Sequence, residues 1–459
     1  MAHKHQKRVL KNSCADTARE TGTNFSPLEE MVPPHALRAA SRNARTHSKK
    51  QIGQIAGSIQ RFGFVSPVIV DHRNRIVCGH ARVEAAKTLN LARVPIKRIS
   101  PHLSEAEVRA FALADNKLAE KAGWDPALLA AEFEDLALAL PELGLDLSTT
   151  AFEPHEIDSI LADLGESTTL SAGDSIPDPQ DTVVARKGDV FVLDQHRITA
   201  GDARDGNAFQ RLMMSETATM VFVDPPYNVR IQGHVGGRGR IKHREFEYAS
   251  GEMTSQQFTR FLQDSLTQCA RHTIDGGITY VCMDWRHISE LLAAGAAVYD
   301  ELKNICVWNK TTPGQGSFYR SQYELVFVYK RGKGPHLNTF ELGQNGRTRS
   351  NVWSYPGANA FRAGRMDELK MHPTVKPVAL IADVMRDCSR RGSIILDAFA
   401  GAGTTIIAAE QIGRRAFCIE IDPRYVDVAV RRWQQATGKD AILEAPGQTF
   451  EEALASPRR

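Results

Sequence analysis

The sequence has few cysteines and no long hydrophobic run, and both shortages narrow the class of protein. Its seven cysteines include no C-x-x-C pair, which disfavours a zinc cluster or a disulfide framework and favours reduced thiols in a cytoplasm. The fifteen histidines show no spaced metal signature either. No apolar stretch approaches the roughly 20 residues of a membrane span, and the N-terminus lacks the hydrophobic region of a signal peptide. We therefore expect a cytoplasmic protein without a metal site.

An excess of charge of one sign is also absent. The 57 Lys and Arg residues nearly balance the 54 Asp and Glu residues, and the net charge is +3. Any contact with nucleic acid must therefore come from local basic segments. The 459 residues are too many for one ordinary hydrophobic core, so two or three domains are expected.

The front of the chain predicts a small α+β domain after a disordered basic tail, residues 1–27. The domain, residues 28–122, has predicted strands at Pro67–Val70, Ile76–Cys78 and Val94–Ile99, with a helix at Ala81–Leu89. A helical extension follows at residues 123–165, with helices over Pro126–Leu140 and Pro154–Leu164. Residues 166–182 are rich in Ser, Thr, Asp and Pro, a composition typical of a linker.

A second domain, residues 183–445, alternates apolar strands with amphipathic helices and is predicted to be α/β. Residues 446–459 are expected to form a tail. The predicted strands are Val190–Leu193, Met220–Val223, Ile278–Met283, Ile305–Trp308, Leu325–Tyr329, Ile394–Asp397 and Ala416–Ile421.

One of these strands ends abruptly in Asp224-Pro225-Pro226-Tyr227. The two prolines stiffen the turn and supply no backbone N–H donor. An aromatic amino group is a poor nucleophile, because its lone pair is delocalised into the ring. Asp224 and the carbonyl of Pro225 are placed to accept its two hydrogens and turn the nitrogen toward tetrahedral geometry, while Tyr227 offers a stacking face for a base.

A Gly-rich turn follows the strand that ends at Asp397, and a helix begins near Thr404. Gly401 and Gly403 allow a ligand to approach the backbone, although such glycines also occur for packing. Glu420 ends the next strand, where an acidic residue commonly holds ribose hydroxyls. Together these features predict a nucleotide-like cofactor, and this cofactor and the Asp224 motif suit methyl transfer from a sulfonium.

The segments "DPPY" and "DAFAGAGTT" resemble the catalytic and cofactor motifs of S-adenosylmethionine-dependent amino-methyltransferases that act on DNA. The catalytic motif comes first, an order that resembles the β class, a circular permutation of the usual arrangement. The resemblance covers roughly residues 183 to 440. It implies a Rossmann-like domain that binds S-adenosylmethionine, with Asp397, Phe399 and Thr404 in the cofactor motif.

Two further segments carry the resemblance. "TAGDARD" is similar to the segment whose aspartate, here Asp202, contacts the cofactor adenine. "HPTVKPVALIADVM" is similar to the segment whose Thr374 and Lys376 would approach the methionine carboxylate. Residues 332–371 then occupy the place of a target-recognition region.

Two basic loops are candidates for DNA contact, because basic groups interleaved with aromatic ones suit phosphate contact and base stacking. An ordinary solvated surface remains the alternative. The candidate residues are Arg238, Arg240, Lys242, Arg347 and Arg349.

The front domain resembles the ParB/sulfiredoxin-like fold on "GFVSPVIVDHRNRIVCGHARVEAAKTLNLARVPI". Partition proteins carry a Gly-Glu-Arg-Arg box at a position where this chain has Gly79-His80-Ala81-Arg82. Only Gly79 and Arg82 match, so a phosphate or DNA contact and an accessory role both stay open. Cys78 is expected in the core.

These observations predict a site-specific DNA adenine methyltransferase with an accessory ParB-like domain, acting on double-stranded DNA with S-adenosylmethionine and without a metal. A homodimer is kept open, and no membrane contact is expected. Two alternatives remain. One is methylation of the cytosine N4 amino group, although such enzymes more often have Ser in place of Asp224. The other is a ParB-like DNA-binding or nuclease protein with an inactive methyltransferase-like half.

Overall fold

The computed structural model describes residues 30–41, 43–165, 176–180, 182–229, 249, 251–313, 318–339, 349–357 and 376–455. The chain divides into two units, Met1–Trp124 and Asp125–Arg459. The predicted N-terminal tail and residues 166–175 of the predicted linker lie outside the described residues. No helix in the described ranges is long and apolar enough to cross a membrane.

The first unit contains a four-stranded mixed sheet. Its elements are β1 (Glu30–Val32), α1 (Lys49–Phe62), β2 (Val68–Val70), β3 (Ile76–Cys78), α2 (His80–Thr88), β4 (Val94–Arg98) and α3 (Glu105–Lys121). The strand order is β1-β4-β2-β3, with β2 and β4 parallel. The predicted strands and helix of this domain are confirmed to within one or two residues.

Two residues of the Gly79-His80-Ala81-Arg82 box have structural roles in this unit. Gly79 is the N-cap residue immediately before α2, and its φ of 101° is a conformation that favours glycine. Arg82 donates to the carbonyls of Ser66 and Pro67 at 2.8 and 3.0 Å, and thereby holds the segment before β2. Cys78 is buried, as expected, and burial raises the pKa of its thiol to about 12.

The second unit begins with the helical extension. It comprises α4 (Pro126–Ala139), two short 3-10 helices at Pro141–Leu143 and Leu147–Thr150, and α5 (Pro154–Gly165). Phe133, Leu147 and Ile157 form its small core. The extension is joined to the rest of the unit by Asp158 of α5, which makes a bidentate ion pair with the buried guanidinium of Arg414 at 2.7 and 2.8 Å.

The remaining elements build one large sheet with helices on both faces. In chain order they are β5 (Val190–Leu193), β6 (His196–Ala200), α6 (Gly206–Met213), β7 (Ala218–Val223), α7 (Ser255–Arg271), β8 (Thr273–Met283), α8 (Ile288–Val298), β9 (Glu301–Asn309), β10 (Tyr323–Lys330), β11 (Val352–Ser354), α9 (Val378–Cys388), β12 (Ile394–Asp397), α10 (Thr404–Gln411), β13 (Arg415–Glu420), α11 (Pro423–Thr437), β14 (Ile442–Leu443), β15 (Gln448–Thr449) and α12 (Phe450–Ala455).

The sheet has the order β11-β9-β10-β8-β7-β12-β13-β6-β5-β14-β15. The central strands β8, β7, β12, β13 and β6 are parallel. Two hydrophobic clusters cover its faces. The α/β prediction is confirmed, and every strand predicted in this domain is present.

The structure corrects the predicted ends of this domain. Residues 446–459 were expected to form a tail, but β15 and α12 belong to the fold, because Phe450 is fully buried against Phe191. Ile176, within the predicted linker, is buried with Ala402 and Val428. Both segments are too short for a periodic pattern to be recognised.

Candidate active site

Four neighbouring parallel strands, β7, β12, β13 and β6, end at one edge of the sheet, where open α/β sheets place their sites. Asp224 follows β7, and Asp397 and Glu420 end β12 and β13. The segment after β6 joins the same edge, since the N–H of Gly201 donates to the carbonyl of Glu420 at 2.9 Å. The fold therefore brings the catalytic and cofactor motifs to a common edge, although they are far apart in sequence.

Asp224 lies in a network of charged and aromatic side chains. The Tyr227 hydroxyl donates to Asp224 Oδ1 at 2.6 Å, and Lys376 Nζ donates to Oδ2 at 2.5 Å. The side chain of Lys376 is only 4% exposed. In the structure the ammonium of Lys376 pairs with Asp224, and its predicted contact with the methionine carboxylate of a cofactor stays a prediction.

Two residues that the sequence analysis missed complete this network. Lys376 Nζ also lies 3.1 Å from Glu324 Oε2, and Lys310 Nζ lies 2.6 Å from Glu324 Oε1. Two ammonium groups thus face two carboxylates. The sequence signal for these two residues is a charged side chain at one end of an apolar strand. Lys310 follows β9, and Glu324 is the second residue of β10.

The network shifts the pKa values of its members. Burial raises the pKa of Asp224, and the charge of Lys376 opposes that rise. Burial also acts to raise the pKa of Glu324, but Lys376 and Lys310 outweigh it and lower the value to about 2. The two carboxylates in turn hold the pKa of Lys376 above its usual range. Lys376 therefore stays charged at neutral pH and favours the ionised form of Asp224.

The turn after Asp224 is held by Asn228, another residue that the sequence analysis missed. Pro225 is buried, and Asn228 has a φ of 53°, which Asn tolerates better than most residues. Its amide donates to the carbonyl of Met253 at 2.9 Å, and its carbonyl accepts from the N–H groups of Gly251 and Met253. The segment 225–228 is thereby fixed to the N-terminal end of α7.

The predicted cofactor carboxylates support the Gly-rich turn. Asp397 accepts from Phe399 N at 2.9 Å and from the Thr405 hydroxyl. Glu420 accepts from the N–H groups of Gly401 and Asp422 at 2.7 and 2.9 Å. Burial raises the pKa of each carboxyl to about 7. Their cofactor contacts stay a prediction, and their hydrogen bonds give both a part in shaping the turn.

Gly403 and Thr404 face the protein rather than open space. Gly403 has a φ of 75°, and a Cβ there would lie 2.7 Å from the Cβ of Ala429 in α11. Arg432, buried in α11, donates to the carbonyl of Ala402 and to the Thr404 hydroxyl at 3.1 and 3.0 Å. These surroundings support the packing role that the sequence left open for Gly403, and its contact with the cofactor stays a prediction.

A substitution separates the two roles of Gly403. We expect Gly403→Ala to destabilise the protein by about 1–3 kcal/mol even without cofactor, because the methyl group collides with Ala429. Urea unfolding measures this change. Gly438→Ala is the matched control, since Gly438 has a similar φ of 71° with nothing within 4 Å of an added Cβ. Equal losses in the two variants would show that backbone strain, not Ala429, requires glycine.

The two other described cofactor candidates lie near the same edge. Asp202 forms an ion pair with Arg204 at 2.6 Å. Burial acts to raise the pKa of Asp202, but this pairing and the hydrogen bond from the backbone N–H of Arg204 outweigh it and lower the pKa. Phe399 packs against Phe261 with ring centroids 6.1 Å apart. Both residues remain predictions as cofactor contacts. Thr374 lies outside the described residues.

Arg349 has structural contacts within the protein, and its DNA contact stays a prediction. Its side chain is 16% exposed and pairs with Asp387 at 3.1 Å. It also donates to the Tyr355 hydroxyl at 3.2 Å and lies over the Trp353 ring. These contacts attach the strand β11 to α9. The other DNA-contact candidates, Arg238, Arg240, Lys242 and Arg347, lie outside the described residues.

Metal ligands do not cluster in the described part of the chain, where no group of three or more His, Cys, Asp or Glu side chains could hold an ion. The carboxylates at the sheet edge instead pair with lysines or accept from backbone N–H groups.

Comparison with known families assigns three segments. Residues 218–431 match the family model for DNA methylases of the N6/N4 type. Residues 18–117 match the ParB N-terminal domain, and residues 127–187 match the ParB-methyltransferase HTH domain. The three matches do not overlap, and the first contains Asp224, the Gly-rich turn and Lys376.

Two sequence relatives agree with this assignment. The chain is 26% identical over 247 residues to the type II methyltransferase M.HinfI of Haemophilus influenzae, covering 50% of this chain and 67% of that protein. It is 24% identical over 258 residues to the DNA adenine methyltransferase YhdJ of Escherichia coli, covering 51% and 82%. The crystal structure of an M1.HpyAVI–SAM complex is 18% identical with a TM-score of 0.38, covering 51% of this chain and 97% of that one.

Proposed function

We propose that this chain, whose residues 218–431 match the DNA methylase family model, transfers a methyl group from S-adenosylmethionine to the exocyclic amino group of adenine in double-stranded DNA. The observation that carries the proposal is the position of Asp224, whose carboxylate lies at the same sheet edge as the Gly-rich turn.

The residues at the edge fit the cofactor. The turn after β12 has a left-handed Gly401 without a side chain, α10 begins at Thr404, and Glu420 and Asp202 supply carboxylates at the neighbouring strand ends. A helix N-terminus suits an anionic group such as a carboxylate, and strand-terminal acids suit ribose hydroxyls. When bound, S-adenosylmethionine supplies a methyl group on a positively charged sulfur.

The residues of the chain act on the target nitrogen. In the proposal, Asp224 accepts one amino hydrogen and the Pro225 carbonyl accepts the other, so that the lone pair leaves the plane of the ring. Asn228 and the two prolines hold these acceptors in place before the base arrives, which avoids a reorganisation cost during transfer. Tyr227 stacks on the target adenine. Asp224 is the adjacent carboxylate that accepts the proton which the methylated nitrogen loses.

Adenine is favoured over cytosine on two grounds. The motif has aspartate at position 224, where cytosine N4 enzymes more often have serine. The relatives M.HinfI and YhdJ are named a type II methyltransferase and a DNA adenine methyltransferase, respectively. Cytosine N4 methylation stays the second candidate within the same chemistry.

The decisive experiment uses S-adenosylmethionine with a labelled methyl group and mixed-sequence duplex DNA, followed by digestion to nucleosides. We expect the label in N6-methyladenine. Label in N4-methylcytosine would establish the second candidate. No label in DNA, with a folded protein that binds the cofactor in calorimetry, would support the ParB-like DNA-binding alternative.

The remaining parts of the proposal concern partners. Accessory DNA contact is assigned to the ParB-like unit, and the enzyme is placed in the cytoplasm, where it meets DNA and methyl donor. A homodimer is part of the proposal as well, and sedimentation with and without DNA tests it.

A further inference from the structure

Lys376 takes the place on Asp224 that a target amino group needs. Of the two carboxylate oxygens, Oδ1 accepts from the Tyr227 hydroxyl at 2.6 Å and Oδ2 accepts from Lys376 at 2.5 Å. An amino group that donates to Oδ2 must therefore compete with the ammonium of Lys376. The Lys376 ammonium and the target amino group are both N–H donors that would hydrogen-bond to the same carboxylate oxygen. The lysine therefore occupies the position of the substrate nitrogen.

A second carboxylate is ready to receive Lys376. Glu324 Oε2 lies 3.1 Å from Lys376 Nζ, while Lys310 pairs with the other oxygen of Glu324. The Lys376 ammonium also lies 5.8 Å from the ring centroids of Tyr227 and Trp308. Lys376 can thus leave Asp224 without losing its ion pair, which a buried ammonium could not otherwise tolerate.

We propose that Lys376 is a positioning residue that fills the amino site on Asp224 in the free enzyme and passes to Glu324 when the base enters. This inference rests on the proposed function. Until the base arrives, Lys376 favours the ionised form of Asp224 against the effect of burial and holds the carboxylate in its orientation. Glu324 sets how readily Lys376 is released, and Lys310 prevents Glu324 from carrying an unpaired charge.

Opposite charges around Asp224 give this arrangement a measurable signature. Lys376 lowers the pKa of Asp224, whereas Glu324 raises it. The groups that surround the carboxyl are Tyr227, Lys376, Glu324 from β10, Lys310 after β9, Cys282 from β8 and Asp397 from β12. Burial keeps the Cys282 thiol and the Tyr227 hydroxyl neutral, since it raises both pKa values well above their usual range.

The test measures kcat/KM for DNA as a function of pH, because its acid limb reports groups of the free enzyme. Removing the positive charge in Lys376→Met raises the pKa of Asp224. Less carboxylate then exists at a given pH, so the acid limb moves to higher pH by about 1–3 units. Lys376→Arg, which keeps the charge, should return the limb toward that of the wild type.

Glu324→Gln should have the opposite effect. Removing this negative charge lowers the pKa of Asp224, so the acid limb moves to lower pH. At the same time Lys376 loses its second partner and stays on Asp224, so the KM for DNA rises more than kcat falls. Lys439→Met is the control, since Lys439 forms an exposed pair with Asp194, and its profile should match the wild type.

Opposite shifts in the two variants support the proposal. Acid limbs that coincide with the wild type, or that move in the same direction, overturn it. If Lys376→Met does not fold, the pH profile of Glu324→Gln is compared with that of Lys376→Arg. An acid limb of Glu324→Gln that is unshifted or moved to higher pH is then sufficient to overturn the proposal. Failure of the wild-type enzyme to methylate DNA is a separate result, and it rejects the proposed function instead.

Discussion

Asp224→Ala is expected to lower kcat for methyl transfer by about 10²–10³-fold, because losing one preorganised acceptor at the reacting centre has an effect of this size. Cofactor affinity should stay close to that of the wild type, since the described contacts of Asp224 are with Tyr227 and Lys376 and not with the Gly-rich turn. Lys376 keeps Glu324 as its partner, so the variant should remain folded. A labelled-methyl assay with calorimetry for S-adenosylmethionine measures both quantities.

The matched control is Asp264→Ala. Asp264 and Arg260 form an exposed ion pair within α7. This variant should keep wild-type activity and affinity. Asp224→Ala with more than about a tenth of the wild-type rate would contradict the role assigned to the carboxylate.

Asp158→Ala is expected to destabilise the second unit by about 3–5 kcal/mol, because it leaves the buried guanidinium of Arg414 without its carboxylate. The Arg414 side chain has no exposed surface, and Asp158 is 8% exposed. Urea unfolding followed by circular dichroism measures the loss.

Arg390→Gln provides the comparison at the same junction. Arg390 and Asp146 form an exposed pair at 3.4 Å, and such pairs contribute about 0–1 kcal/mol. A loss in Asp158→Ala no greater than in Arg390→Gln would mean that the extension is not held by the buried pair.

This ion pair changes where the catalytic part of the chain should be cut. Linker composition alone predicts that a chain beginning near Thr182 still folds and methylates DNA. Such a chain lacks Asp158 and should instead be unstable, whereas one beginning at Gly123 retains the pair.

The extension contains neither Lys nor Arg between Lys121 and Arg186, so its own side chains offer little for phosphate contact, and its contacts with the methylase suggest a supporting role.

Local sequence determined the elements and the two motifs. The strands before Asp224 and Asp397 are continuous apolar runs with a clear end, and proline or glycine marks the turn that follows each. A strand that is buried on both faces is a continuous apolar run, and Pro or Gly at the next turn sets the φ angles that the backbone can adopt there. Both signals lie within a few residues, so they are visible in a single sequence. The strand β6 was not predicted because polar residues interrupt its apolar pattern. The strand β11 was not predicted because its three residues are too few to show a pattern.

Only the tertiary structure decided which side chains meet. Asp224 and Lys376 are 152 residues apart, and Asp158 and Arg414 are 256 apart. Periodicity shows that a side chain is buried or exposed, but it carries no information about a distant partner. The sequence therefore did not show that Lys376 and Arg349 each pair with a carboxylate in the fold, and their contacts with cofactor and DNA stay predictions. A basic side chain pairs with the acid that the fold places beside it, since leaving either charge buried and unpaired costs several kcal/mol.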